Sequence, residues 1–234
     1  MPEPSTPTDR KFISEHYWAV PVAVRDWSVP ATTLYCGSLA AFADALDDDR
    51  LIGLEKGADV VVVPTAAAFT GALAAALAIA HVLEDRCAIE TLMAIDRAGC
   101  AEAYFARRIG EADLVVLADG SALHARTTWR ETPVGEALRA ARSLVAIGAV
   151  AGALGEIMID PRGGAPTTGL GYRPGLVVTT PASEEQLERT RQLLGEDHVL
   201  AVMSPTGVLA ATDDAWWIAR GDVVVTRGSV EVTL

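Results

Sequence analysis

Residues 113–121, DLVVLADGS, form the stretch that decides the fold. The segment DLVVL, at 113–117, is the clearest strand pattern in the chain, because a short apolar run rich in β-branched residues is typical of a buried parallel strand. The segment ADGS, at 118–121, has the composition of a turn that leads from a strand into a helix. In α/β proteins, ligands bind at the carboxyl ends of such strands. The stretch therefore predicts both a fold class and the place where a site would lie.

The same alternation of strands and helices extends along most of the chain. We predict strands at 32–36, 59–63, 88–95, 113–117 and 143–147, and helices after Ser38 and at 66–83, 101–108 and 133–142. This spacing predicts βαβ units, and hence an α/β fold of three layers: a doubly wound, mainly parallel sheet with helices on both faces. Beyond these units, an extended segment is predicted at 176–180 and an amphipathic helix, capped by Ser183, at 183–194. Short β runs within 199–234 predict a small antiparallel C-terminal extension.

Length and charge limit the organisation and the partners. The 234 residues fit one α/β domain at 31–234, preceded by an N-terminal extension at 1–30. Half of the residues are hydrophobic, so the chain can bury a sizeable core. The formal net charge of −12 argues against nucleic acid or an anionic membrane surface as the main partner. We therefore expect a small-molecule ligand or a protein partner.

The cysteine and histidine pattern predicts no metal site, no cofactor and no disulfide framework. The cysteines are odd in number and widely spaced, and neither they nor the histidines form a ligand motif: Cys36, Cys87, Cys100, His16, His81, His124 and His198. The N-terminus is polar and lacks the apolar stretch of a secretory signal, so a cytoplasmic location is expected. Residues 60–83 carry no formal charge over 24 residues. Their four valines, proline and alanine-rich continuation favour a buried strand and a packed helix over a membrane span.

Three predicted strand ends could line a common crevice, at 36–38, 118–121 and 148–152. The third has the sequence GAVAG, in which small residues flank a central position after a strand. This is the layout of a nucleophile elbow, where a tight turn between a strand and a following helix presents a central Ser or Cys above the sheet. The central residue here is Val150. The candidate pocket residues are Cys36, Gly37, Ser38, Asp119, Gly120, Ser121 and Ala151.

The segment at 117–164, LADGSALHARTTWRETPVGEALRAARSLVAIGAVAGALGEIMIDPRGG, resembles the cyanophycinase and dipeptidase E family of serine peptidases. Residues 148–153, GAVAGA, fall on the family's nucleophile elbow, and 169–175, GLGYRPG, on a later glycine-rich turn. The resemblance covers roughly residues 32–234. It implies a class I glutamine-amidotransferase-like fold, a serine peptidase site and a tendency to form dimers.

The departures from the family pattern fall on the catalytic residues. The position of the nucleophilic serine is occupied by Val150, and the family's histidine would fall in 178–182, VTTPA, which contains none. Residues 202–209 lack the acidic residues of the corresponding family stretch, and neither Glu156 nor Asp160 can be assigned as the acid of a triad. Triad members act as a unit, so the loss of either the nucleophile or the histidine removes most of the catalysis.

The main hypothesis is therefore a pseudoenzyme that binds a small molecule or a protein partner, as a homodimer or as a heterodimer with an active paralogue. An alternative is an enzyme of a different, non-peptidase class that uses Asp119, Ser121 and the backbone N–H groups of Gly120 and Ala151. A serine hydrolase acting through Ser121 or Ser38 is the least favoured.

Two residue-level questions stay open in the sequence. Asp119 could bind a ligand, or it could bond to the backbone of its own turn. Cys36 and His124 could form a replacement pair of nucleophile and base, whereas the simpler interpretation of Cys36 is a buried core residue.

Overall fold

The structure is a computed structural model that describes residues 33–48, 51–173, 175–212 and 215–232. The predicted N-terminal extension, 1–30, lies outside the described residues. The central feature is a seven-stranded sheet with the order β11-β10-β1-β5-β4-β2-β3. Its strands are β1 (Thr33–Cys36), β2 (Ala58–Val63), β3 (Cys87–Thr91), β4 (Leu114–Leu117), β5 (Leu144–Ile147), β10 (Val208–Ala211) and β11 (Trp216–Arg220).

Strands β1 to β5 of this sheet run parallel, and the last two strands join one edge in antiparallel orientation. Four valines of β2 are fully buried, as expected for a parallel strand covered on both faces. The continuous apolar pattern of these strands is the physical reason that the sequence predicted them. The prediction of a mainly parallel α/β sheet is confirmed.

Helices cover both faces of the sheet. One face packs against α1 (Leu39–Leu46) and α2 (Ala72–Leu83) through side chains such as Phe42, Ile79 and Leu83. The other face packs against α3 (Arg97–Cys100), α4 (Ala103–Glu111), α5 (Ala122–Trp129) and α6 (Pro133–Ala140). Ser38 caps α1 as predicted, since its side chain accepts a hydrogen bond from the N–H of Ala41.

A second sheet, with the order β13-β12-β9-β8, packs on the same side as α3 to α6. It contains β8 (Leu176–Thr179), β9 (Val199–Met203), β12 (Val223–Arg227) and β13 (Val230–Glu231), while β6 (Ile157–Ile159) and β7 (Pro166–Thr168) form a separate ribbon. Helix α7 (Glu184–Leu194) covers the outer face of this sheet and is capped by Ser183, as predicted. The C-terminal strands are mostly antiparallel, but they divide between the two sheets, and β8 and β9 pair in parallel.

The predicted helix at 66–83 is interrupted. A short 3-10 turn at Thr65–Ala67 precedes α2, which starts only after Gly71 at a φ of 118°. The turn is fixed by tertiary contacts, because the Thr65 hydroxyl donates to the Ala94 carbonyl and accepts from the Trp129 indole N–H. Within the described ranges, no helix is long and apolar enough to cross a membrane.

Candidate functional site

The turns that follow β4 and β5 lie side by side, because these strands are adjacent and Leu117 pairs with Ala146. Asp119 joins the two turns. Its Oδ1 accepts the N–H of Gly120 at 2.7 Å and the N–H of Ala149 at 2.8 Å. Asp119 therefore bonds to its own turn, as the local interpretation predicted, and in addition to the predicted elbow.

Val150 has ordinary backbone geometry and no access to solvent. Residues Gly148–Ala153 form a 3-10 helix in which Gly148 takes a positive φ of 66° and Val150 does not. The Val150 side chain is 0% exposed and belongs to the apolar core between the sheet and α5. An active elbow would present its central side chain above the sheet. Here the side chain points into the protein core, so it is not presented to a bound molecule.

The helix expected after the elbow is not formed. The chain passes from the 3-10 helix into β6, because the carbonyl groups that a helix would use already have partners. The carbonyl of Ala153 accepts the N–H of Leu170 at 3.0 Å, and the carbonyl of Leu154 accepts the N–H of Tyr172 at 2.8 Å. The loop at 169–173 thus replaces the next turn of helix.

A cavity of about 440 Å³ opens beside these turns, where the carboxyl ends of β4, β5, β6 and β8 meet the first turns of α7. Its apolar wall contains Met158, Ile159, Val178 and Leu187. Its polar groups come from Thr70, Ser121, Asp160, Thr179, Thr180, Gln186 and Thr190. The cavity therefore lies where the fold places ligands, at the carboxyl ends of parallel strands.

Hydroxyl and amide groups, rather than charges, give the cavity its polarity. Asp160 is the single ionisable side chain among the described lining residues, and none of those residues is Lys, Arg or His. The Oδ1 atom of Asp160 accepts the backbone N–H of Arg162. An anionic ligand would find no opposite charge on this lining and one like charge, whereas an uncharged ligand would find both donors and acceptors.

The predicted pocket residues divide into two groups. Gly120 and Ser121 line the cavity. Asp119 is exposed next to the cavity without being part of its lining, and Ala151 is 3% exposed and packed into the core. Of the predicted pocket, the turn after β4 contributes to the cavity, and the turn after β5 contributes Ala149 and Gly152 instead of Ala151.

Cys36, Gly37 and Ser38 do not face the cavity, which corrects the prediction for this strand end. The turn at 204–207 covers it: the N–H of Gly37 donates to the Gly207 carbonyl at 2.8 Å, and the Ser38 hydroxyl donates to the Pro205 carbonyl at 2.7 Å. A Cβ at Gly37 would overlap the Ser204 carbonyl. Cys36 is 0% exposed, and burial raises the pKa of its thiol well above the usual range. Its thiolate is therefore disfavoured, and it cannot serve as a nucleophile.

His124 forms no catalytic pair with any of the three candidate nucleophiles, Cys36, Ser38 and Ser121. Its Nε2 lies 2.8 Å from the Ile95 carbonyl, and its ring contacts Phe69 edge-on at 4.6 Å between centroids. The Ser121 hydroxyl oxygen accepts the backbone N–H of His124, which is a helix cap rather than a contact with the imidazole. Among the described side chains, no histidine hydrogen-bonds to Ser38, Ser121 or Cys36. Likewise, the residues that the structure describes contain no cluster of three or more His, Cys, Asp or Glu side chains that could bind a metal.

Sequence reasoning missed the wall formed by β8 and α7. Thr179 is the last residue of β8, which is parallel to β9, and Thr180 follows it, so both lie at a carboxyl end of the second sheet. The capping box at Ser183 and Gln186 then turns the chain back, so that Gln186 and Thr190 face the same cavity. The sequence did contain a pattern that could have indicated this wall, because β8, its turn and α7 follow one another as a strand, a turn and a helix, as they do after β4.

Comparison with solved structures places this fold among peptidases. The fold is similar to that of a peptidase from an acI-B1 Actinobacterium, with a TM-score of 0.66 and 18% sequence identity over 86% of this chain and 93% of that chain. It is also similar to a protein from Listeria monocytogenes EGD-e that is provisionally assigned as peptidase E, with a TM-score of 0.54 and 14% identity over 83% and 97% of the two chains. No protein-family model matches the sequence, and comparison with curated proteins gives no match. The expectation of a peptidase-like fold is confirmed, and at these identities the similarity concerns the fold alone.

Proposed function

We propose that this chain is a catalytically degenerate, peptidase-like protein that binds an uncharged small molecule in the cavity beside the former elbow. The observation that carries the proposal is the contrast between two neighbouring places. The elbow position is occupied by a fully buried Val150, whereas the adjacent cavity of about 440 Å³ is open and is lined by apolar side chains together with hydroxyl and amide groups. This contrast supports a protein that binds a ligand in the cavity without a nucleophile at the elbow position.

The arrangement of Asp119 supports the same proposal. Its carboxylate accepts the N–H groups of Gly120 and Ala149, which an acyl-transfer enzyme could otherwise direct at an oxyanion. An intramolecular carboxylate at this place competes with a developing negative charge.

The first test concerns hydrolysis. We expect no turnover of dipeptides, β-aspartyl-arginine polymers or activated esters above a protein-free control, and no labelling by a fluorophosphonate. Val150→Ser should fold and stay inactive, because the new hydroxyl would point into the core and, among the described residues, no histidine side chain is hydrogen-bonded to the elbow. Turnover by the native chain, or a reactive serine in the variant, would contradict the proposal.

The second test concerns binding. Ligand-observed NMR should detect uncharged compounds that carry hydroxyl and carboxamide groups, and should detect their carboxylate counterparts much more weakly. Thr180→Phe fills part of the cavity and should abolish the signal, whereas Thr168→Phe, at an exposed position of β7 outside this cavity, should leave it unchanged. Binding that survives Thr180→Phe, or that favours the carboxylates, would argue against this cavity as the site.

A further inference from the structure

A second cavity, of about 500 Å³, lies beside the turn that joins α5 to α6. Residues 169–172, part of the glycine-rich turn at 169–175, form one part of its wall. The rest of the lining is dominated by charged side chains of both signs: Arg130, Glu131, Glu136, Arg139 and Glu156. No described residue lines both this charged cavity and the cavity beside the elbow, so the two are separate.

Glu131 holds a strained backbone conformation at the edge of the charged cavity. Its φ is 56°, and it is the single non-glycine residue with a positive φ in the described ranges. A residue with a Cβ is disfavoured in this conformation, whereas glycine adopts it without that cost. The Glu131 side chain is 80% exposed, so it contributes little packing that would offset the strain. Strain that packing does not explain is typical of functional sites.

The charges that line this cavity are only loosely paired. The Nε atom of Arg130 lies 3.8 Å from Glu131 Oε1, and this distance is too long for a hydrogen bond. The same distance separates Arg139 Nε from Glu136 Oε2. The Glu156 carboxylate has no ion pair and no hydrogen bond among the described residues. Loose, exposed pairs contribute little to stability, so a ligand could replace them at little cost.

The position of Arg139 is supported from below by an aromatic ring. Its guanidinium carbon lies 5.2 Å from the ring centroid of Tyr172, which is a cation–π contact, and Tyr172 itself is buried. A Cβ at Gly135 would lie 2.7 Å from the Tyr172 hydroxyl, so glycine there allows the ring to pack closely against α6. Arg139 is therefore held in place before a ligand arrives, which lowers the entropic cost of binding.

We propose that the charged cavity binds a small zwitterion of the size of a free α-amino acid. The carboxylate of the ligand would lie against the guanidinium groups of Arg130 and Arg139, and its ammonium group against the carboxylates of Glu131 and Glu156. A ligand with one charge alone would be repelled by one of the two sets of side chains, whereas a zwitterion is attracted by both. Because the two cavities share no described residue, binding here does not depend on the ligand of the first cavity.

Saturation-transfer NMR with free amino acids that have uncharged side chains tests the ligand class. Each amino acid is compared with its N-acetyl derivative, which keeps only the carboxylate, and with its amide, which keeps only the ammonium group. At least one free amino acid should give a saturable signal, and both derivatives should bind at least about tenfold more weakly. A derivative that binds as well as the zwitterion would overturn the ligand class, and the absence of any saturable signal would overturn the site.

Two matched variants test the place of binding. Arg139→Gln should abolish the signal. Arg107→Gln is its control on α4, outside the cavity, and should leave the signal unchanged. Arg107 has the same two kinds of contact as Arg139, with Glu111 at 3.8 Å and with the ring of Tyr104 at 5.5 Å. Thr180→Phe, which fills part of the first cavity, should also leave the signal unchanged and so separates the two sites.

Glu131→Gly tests whether the strain serves binding. Glycine relieves the strain, so the variant should keep or raise the thermal midpoint and yet bind at least about tenfold more weakly. Circular dichroism must show that each variant is folded, and Arg130→Gln replaces Arg139→Gln should the latter not fold. Binding that survives the arginine variant and Glu131→Gly, or that is lost in Arg107→Gln or Thr180→Phe, would overturn the assignment to the charged cavity.

Discussion

At the scale of single residues, the Asp119 carboxylate connects two turns that are 30 positions apart in sequence. Asp119→Ala would leave the N–H groups of Gly120 and Ala149 without this acceptor, and we expect the free energy of unfolding to fall by about 1 kcal/mol. The loss stays modest because Asp119 is exposed and water can replace part of the interaction. Asp119→Asn keeps an acceptor oxygen and should lose less. Urea unfolding measures all three proteins.

The control for this prediction is Asp197→Ala, which removes a carboxylate from another exposed turn. It should change the unfolding midpoint little. An Asp119→Ala protein as stable as the native chain would mean that the carboxylate does not hold the two turns together.

The loss of the nucleophile could be predicted from the sequence, but the surroundings of the candidate residues could not. Val150 has no reactive group in any conformation, so its identity alone excludes nucleophilic attack. The covering of Gly37 and Ser38, by contrast, depends on the turn at 204–207, which lies about 170 residues further along the chain. No local pattern in the sequence reports such a contact.

At the scale of elements, the turn after β5 depends on glycine for two reasons. Gly148 adopts a φ of 66°, and a Cβ at this position would overlap the Asp119 carboxylate. We expect Gly148→Ala to lower the free energy of unfolding by about 3 kcal/mol, from backbone strain and from displacement of Asp119. Gly57→Ala is the matched control, since Gly57 has a φ of 86° and a Cβ there would meet nothing within 4 Å. Gly57→Ala should lower the free energy of unfolding by only about 1–2 kcal/mol, because it adds backbone strain without a steric overlap.

A double variant separates the two contributions. In an Asp119→Ala background the obstacle to the new Cβ is gone, so Gly148→Ala should then cost about as much as Gly57→Ala. Equal losses for Gly148→Ala in both backgrounds would contradict the steric explanation and leave backbone strain alone.

The sequence was sufficient to predict which segments form strands or helices. Contacts with distant parts of the chain decided where one helix begins and why another is absent. The alanine-rich run at 66–83 favours a continuous helix, but the Thr65 hydroxyl is bound to Ala94 and Trp129, so the first residues stay in a 3-10 turn. The helix expected after the elbow is absent because Leu170 and Tyr172 occupy the carbonyl groups that it would need. Both outcomes depend on hydrogen bonds over long sequence separations.

At the scale of the whole molecule, the alternating pattern predicted the parallel sheet because each buried strand carries its own apolar signal. The second sheet was not predicted. Strands β8 and β9 are joined by α7 and pair in parallel, so they form a further βαβ unit. Short β runs near the C-terminus of a sequence do not show whether two strands pair as such a unit or as a hairpin. The cavity lies between the two sheets, and its β8 and α7 wall could therefore not be placed from the sequence.

One ion-pair cluster ties the β3 edge of the main sheet to α4 and makes the stability of the whole fold sensitive to acid. Glu90 on β3 accepts hydrogen bonds from the Tyr104 hydroxyl at 2.6 Å and from Arg108 Nε at 2.7 Å, and Arg108 also contacts Asp59 on β2. These hydrogen bonds, from Tyr104 and then Arg108, hold the pKa of Glu90 below its ordinary value of 4.5. The charged form is therefore favoured in the folded state, so this stabilisation is complete above pH 4.5 and is lost as the pH falls through the lowered pKa.

Glu90→Gln should accordingly lower the free energy of unfolding by about 1 kcal/mol at neutral pH. The difference from the native chain should shrink as the pH falls below 4.5, because the native Glu90 then becomes protonated and loses its charge as well. Urea unfolding of both proteins across this acid range measures the effect, with Glu196→Gln as a control at an exposed turn position. A Glu90→Gln deficit that stays constant down to the acid limit of the folded state would show that packing, rather than the charge of Glu90, joins α4 to the edge of the sheet.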